Sequence, residues 1–267
     1  MPAVSLGCSG PLIIEVLTGN PPSTRSLDTA MYVPGEVVAQ AGQFGGADLA
    51  QQDGTVAELA QICQAWGAAI ATLHTMSTRR SPAALAPRPW ALNPRHLMPS
   101  VRDVAKGSGY TAVLEAYESS PDLRAAATEV DERWTEQHCI HGNLGASTVM
   151  VEHHPALRVS FLDCEQAGLG DPAWDLASAV DTIAWLSDRW HAVSQQLIDY
   201  LILGYRRAGG PGRLYPAIQA VRALVTAAWV ADLSPQSARQ PVGEDLALWL
   251  DRARAYAARV GWLVAVA

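Results

Sequence analysis

Lysine is nearly missing from this chain: Lys106 is the single lysine among 19 basic residues, and 26 acidic residues leave a formal net charge of -7. A surface so short of positive charge has no concentrated patch with which to grip a phosphate backbone or an anionic bilayer. Neither nucleic acid nor membrane is therefore expected as a partner, and proteins or cationic small molecules are. The preference for arginine and the abundance of alanine fit a coding bias as readily as any function. Cysteine is scarce as well. Cys8, Cys63, Cys139 and Cys164 are scattered without CxxC spacing, which gives neither a zinc site nor a disulfide framework and points to a reduced, cytoplasmic interior. No run approaches the ~20 uninterrupted apolar residues of a membrane span, and the N-terminus lacks the basic-then-apolar order of a signal peptide.

What is present is core-forming. Of 267 residues 49% are apolar, enough to bury a real core as one large domain or two small ones and to argue against disorder. Residues 11–17, Pro11 to Leu17, form a short apolar run between Gly10 and Gly19 that reads as a buried strand. From Asn20 to Asp53 the Gly, Pro, Ser and Asp content, with isolated apolar positions such as Met31, Tyr32 and Val33, reads as loop with room for one short helix. Thr55 followed by Glu58 is a capping-box pattern, and Leu59, Ile62, Trp66, Ala69, Ile70 and Leu73 then recur at helical spacing up to His74. Five prolines between Ser81 and Pro99 exclude a regular element there. Helical periodicity resumes over 101–117 and 121–134, two short strands are expected at 148–151 and 158–162 as a hairpin, and helices at 174–186, 191–207, 214–233 and 243–260. The tryptophans fall mostly on apolar helical faces and read as core; an exposed one would mark a protein interface. The apolar tail from Trp262 either packs back on the domain or docks on a partner.

Chemistry gathers in fewer than forty positions. In order come His141-Gly142-Asn143-Leu144, Thr148-Val149-Met150, Phe161-Leu162-Asp163-Cys164-Glu165 and Gly170-Asp171-Pro172-Ala173-Trp174-Asp175-Leu176-Ala177, with Leu73-His74 closing the earlier helix. This order resembles the catalytic lobe of aminoglycoside-phosphotransferase and choline-kinase type kinases, over most of the chain from about Leu12. The resemblance implies an α+β, mostly helical fold, the C-terminal lobe of the protein-kinase-like fold with a small β hairpin and a much reduced N-terminal lobe. It places the segment 1–53 as a remnant hinge strand with irregular chain and 54–267 as the lobe itself.

Phosphoryl transfer needs metal ions to neutralise the phosphates, a carboxylate to orient and deprotonate the attacking hydroxyl, and rigid placement of both. By the resemblance, Asp163 is a magnesium ligand, with Glu165 a weaker candidate beside it. Asp175 pins the loop backbone, His141 packs the loop, and Glu15, Val16 and Leu17 form the hinge that meets adenine. Two positions depart from the pattern. Asn143 stands where the base carboxylate is expected and cannot accept a proton at physiological pH; Thr148 stands at the second magnesium position with a neutral, weaker oxygen. The glycine groups Gly7-x-x-Gly10 and Gly42-x-x-Gly45-Gly46 do not sit between strand and helix as a phosphate loop requires and read as turns. His138, His153 and His154 near Cys139 fit no standard metal spacing and read as loop or surface histidines.

Two functions follow. In the first the chain is a degenerate kinase, a pseudokinase that works by binding as a scaffold or as a subunit of a protein complex. In the second it is an ATP- and magnesium-dependent O-phosphotransferase acting on a hydroxyl of a small molecule or on a peptide Ser or Thr, in settings such as natural-product resistance or tailoring. A helical ligand-binding domain unconnected to nucleotide is a third, lesser reading.

Overall fold

A computed structural model of the chain describes residues 47–48, 54–76, 88–89, 92, 109–152, 157–187, 193–233 and 242–266. The expected strand at 11–17 with the hinge residues Glu15, Val16 and Leu17, both glycine-group turns apart from residues beyond them, the helix start at 101–108, and His153 and His154 lie outside the described residues, as does the surrounding of the 53/54 boundary up to residue 53. Two compact units divide the chain, one formed by residues up to Pro87 together with Glu136–Gly212, the other by Arg88–Thr135 together with Arg213–Ala267.

The first unit is built around α1, Val56–Thr75, which opens with the expected capping box: the Thr55 hydroxyl takes the Glu58 amide at 3.3 Å, and the Glu58 carboxylate takes the Thr55 amide at 2.7 Å. All six residues of its expected apolar face are at most 2% exposed. By length and composition this helix could cross a membrane, yet here that apolar surface is committed to the core. Cys63 lies in the same core, and burial pushes its thiol up to about 12, so it stays protonated.

Two small sheets follow. Strands β1, Ala47–Asp48, β3, Val149–Glu152, and β4, Arg158–Phe161, form one antiparallel sheet in the order β1-β3-β4. The β3–β4 pairing, Val149 opposite Phe161 and Glu152 opposite Arg158, is the expected hairpin. Its start differs by one position: Thr148 closes a single 3-10 turn, Ala146–Thr148, because its hydroxyl bonds back to the loop rather than joining the ladder. The second sheet, β2, His138–Ile140, against β5, Gly168–Gly170, has no counterpart in the sequence reading. Strands of three residues, one of them Gly-Leu-Gly, carry no alternation to detect.

Helix α4, Pro172–Leu186, starts on Asp171, whose carboxylate accepts the Ala173 amide at 2.9 Å, with Pro172 at the first helical position. Helix α5, Ser194–Arg207, packs along α1. Their crossing is made by two glycines. A Cβ on Gly67 would stand 2.0 Å from the Leu201 carbonyl oxygen, and one on Gly204 would stand 1.9 Å from that of Gln64, so the backbones approach as no other residue type allows.

The second unit comprises α2, Gly109–Ser119, α3, Pro121–Arg133, α6, Pro216–Leu233, and α7, Val242–Val266. Ser120 caps α3 by accepting the Leu123 amide at 3.3 Å. Val113, Leu123, Val130, Ile218, Val221, Leu224 and Ala253 form its buried core, and the Arg133 guanidinium lies 4.0 Å from the Tyr215 ring centroid. Trp66, Trp134, Trp174 and Trp249 are buried as expected, whereas Trp185 on α4 is 52% exposed.

Candidate active-site loop

The segment after β2, His141 to Gly145, is a loop whose backbone polar groups are shared between one face of α4 and the side chains of His141 and Thr148. Asp175 accepts the His141 amide at 2.7 Å through Oδ2 and the Gly142 amide at 2.9 Å through Oδ1. Trp174 Nε1 donates to the Gly142 carbonyl at 2.8 Å, and the Ser178 hydroxyl donates to that of Leu144. Ser178 lies three and four residues beyond Asp175 and Trp174, so neighbouring positions on α4 present one acceptor and two donors to the loop. Gly142 adopts φ +85°, and a Cβ there would meet the Gln166 carbonyl oxygen at 2.5 Å; only glycine fits that position.

Asp175 is fully buried and its carboxyl is ionised. Burial alone would push it up, but the hydrogen bond from His74, the imidazoles of His74 and His141 and the His141 amide together hold it below the usual carboxylate range. His74 Nε2 donates to Asp175 Oδ2 at 3.1 Å, and His74 Nδ1 lies 2.8 Å from the Tyr205 hydroxyl. The Tyr205 oxygen also accepts the Gly212 amide at 2.7 Å. Burial, opposed by that amide but aided by the charges of Asp175 and Asp171, keeps the Tyr205 phenol protonated far above its ordinary range. His138 Nδ1 donates to the His74 carbonyl at 3.1 Å, a structural tie between β2 and the end of α1.

His141 packs inside the loop. Buried, with its ring edge-on to Phe161, it donates from Nε2 to the Leu162 carbonyl at 2.7 Å, while Nδ1 takes the Asn143 amide at 3.4 Å. Asn143 is half-buried, and its side-chain amide has no hydrogen-bond partner among the described residues. Thr148 is buried, and its hydroxyl is fully engaged: it accepts the Gly145 amide at 2.8 Å and faces the Asn143 and Gly145 carbonyls, each at 3.1 Å. The group therefore closes the loop.

Asp163 is different. It is exposed, sits at φ +58° as the sole non-glycine residue with positive φ among the described residues, precedes the 3-10 turn Cys164–Gln166, and makes no side-chain hydrogen bond to any described residue. A carboxylate left open in this way could hold magnesium, which is commonly bound by one or two carboxylates with substrate phosphates supplying the rest. Among the described residues no three His, Cys, Asp or Glu side chains converge. Glu165 lies within the turn, and its side chain is outside the described set.

A family model described as phosphotransferase enzyme family matches residues 32–216, well over half of the chain. The chain belongs to that family. The fold agrees: a thermostable mutant of an aminoglycoside phosphotransferase, APH(4)-Ia, in its apo form, superposes with a TM-score of 0.52 at 16% identity, covering 81% of this chain and 70% of that one. Choline kinase LicA from Streptococcus pneumoniae gives 0.47 at 14% identity over 76% of this chain and 65% of its own, and a choline/ethanolamine kinase family protein from Mesorhizobium loti gives 0.44 at 16% over 73% and 60%. No curated protein matches the chain by sequence. Family membership and the mostly helical, kinase-like catalytic-lobe fold are thus as the sequence motifs implied.

Sequence reasoning named His141, Asp175 and Asp163, of which the structure brings His141 and Asp175 into contact, and it gave no role to Tyr205, Trp174 or Ser178. The available signal was polarity on an apolar face: α4 is buried along nearly its whole length, yet carries Asp175, Ser178, Asp181 and Thr182.

Proposed function

We propose that the protein is a degenerate member of the phosphotransferase family that acts by binding, as a scaffold or as a subunit of a protein complex. The observation that supports this reading is the fate of two oxygen positions. The loop where a general base belongs presents the Asn143 amide, which cannot take a proton from a hydroxyl. The neighbouring ligand position presents Thr148, whose buried hydroxyl is consumed by the loop backbone. Asp175, Trp174, Ser178 and His141 hold the loop in one arrangement, as a binding surface requires, without a group at Asn143 or Thr148 that would move a proton or complete a metal pair.

One observation favours a second reading. Asp163 retains an exposed, unengaged carboxylate on a strained backbone, the kind of conformation that accumulates at functional sites. If magnesium and ATP bind there, positioning and electrostatics could sustain slow O-phosphotransfer to a small-molecule or peptide hydroxyl without a formal base.

Titration of the whole chain with ATP, with and without magnesium, separates the two, followed by melting temperature and calorimetry. A ligand at about a hundred times its Kd adds ~2.7 kcal/mol of stability, a shift that is readily read. The binding-only reading expects no magnesium-dependent shift and an Asp163→Ala variant that keeps its partner affinity and biological function. A magnesium-dependent shift that Asp163→Ala removes, with turnover that Asn143→Asp raises, would establish the phosphotransferase instead.

A further inference from the structure

We infer that Tyr205 is a positioning residue, whose phenol donates to His74 Nδ1, fixes the ring with its proton on Nε2 and so sets how His74 and Asp175 together grip the loop.

The inference comes from counting donors and acceptors in a closed set of groups. The Asp175 carboxylate accepts from three donors, the His141 amide, the Gly142 amide and His74 Nε2. An ionised carboxylate only accepts, so His74 Nε2 carries a hydrogen. The Tyr205 oxygen already accepts the Gly212 amide. If His74 Nδ1 were also protonated, the phenol would receive a second donor and its own hydrogen would have no acceptor among the described residues, in a site where Tyr205 is 1% exposed. A buried hydroxyl left without an acceptor forfeits the hydrogen bond it would make to water in the unfolded chain. With Nδ1 bare, each donor has one acceptor: Gly212 N–H to Tyr205 Oη, Tyr205 O–H to His74 Nδ1, and His74 Nε2–H to Asp175 Oδ2.

The seat of the phenol is built for this. The ring and hydroxyl press on the chain that follows α5: a Cβ on Gly210 would lie 2.3 Å from the ring, and one on Gly212 would lie 2.9 Å from the hydroxyl oxygen. The run Gly209-Gly210-Pro211-Gly212, which in sequence reads only as a helix breaker, folds around the phenol and delivers the Gly212 amide to it. The chain of bonds thus carries the placement of the α5 end to the loop backbone, independently of whether the loop performs chemistry.

The test is nitrogen-15 NMR of the histidine side chains in the full chain near neutral pH, with the His74 signals identified by their loss in His74→Gln. The expected wild-type pattern is one protonated and one bare ring nitrogen. In Tyr205→Phe, which removes the hydroxyl and keeps the ring, the bare-nitrogen signal moves and amide exchange at His141 and Gly142 quickens about tenfold, the loss of roughly one net hydrogen bond. Two protonated ring nitrogens in the wild type would overturn the proposal, as would a Tyr205→Phe variant in which neither the His74 signals nor the two amides change. Should that variant fail to fold, the wild-type spectrum decides alone.

Discussion

At the scale of single residues, Asp175 and Asp163 are carboxylates with opposite circumstances. Asp175 is buried and takes three donors; replacing it by Asn puts an amide hydrogen among backbone N–H groups and leaves at least one of them unmet. The expected loss is about 2–4 kcal/mol, read as a fall in the urea midpoint. Because its folded pKa lies below the unfolded value of about 3.9, its contribution is complete above that value and disappears as the pH falls through the folded one. Urea titrations repeated from neutral to strongly acid pH should show a steeper acid limb for the wild type than for Asp175→Asn, and equal slopes would refute the assignment. Asp163 pays with backbone strain for a position that no contact explains. Relieving φ +58° is worth ~1–2 kcal/mol, partly offset by the ~0.4–1 kcal/mol that glycine adds to the freedom of the unfolded chain. Asp163→Gly should therefore melt at an equal or higher temperature than the wild type. A clear drop would mean that the Asp163 side chain stabilises the fold itself.

At the scale of elements, the α1–α5 crossing depends on the absence of two side chains. Gly67→Ala and Gly204→Ala should each destabilise by about 1–3 kcal/mol or more, since neither backbone can yield the room a methyl group needs. Gly145→Ala is the contrasting case. Its φ of -122° suits any residue and nothing lies within 4 Å of its Cβ position, so thermal melts should place it within about 0.5 kcal/mol of wild type or above it. These glycines also show where sequence stops being legible. The α1 cap, the apolar face of α1 and the β3–β4 hairpin were readable because local patterns dictate them, and the loop was readable because His141, Asp163 and Asp175 keep fixed chain order. Gly67 and Gly204 look like mere weak points in a helix until the partner backbone is known. Tyr205 lies 131 positions from His74 and sits on a helix where a tyrosine is unremarkable, and β1 exists only because β3 offers it an edge.

At the scale of the whole molecule, each unit is assembled from two stretches of chain, and each is interrupted by the other. The residues 1–135 contain α1 without α5, β3, β4 or α4, so they lack what α1 packs against. Purified as a separate piece, they should show helical circular dichroism without a cooperative melt of α1; a sharp transition matching that of the full chain would contradict this division. The same arrangement sets a timetable during synthesis. Helix α1 is complete at Thr75, and α5 begins only at Ser194; at about 5–20 residues per second the ribosome leaves on the order of 10 s between them. For that interval the part of α1 around Gln64 and Gly67, where α5 will sit, lacks its partner. The close glycine contact that locks the finished unit therefore forms late, and the yield of folded protein should depend on what shields α1 until α5 arrives.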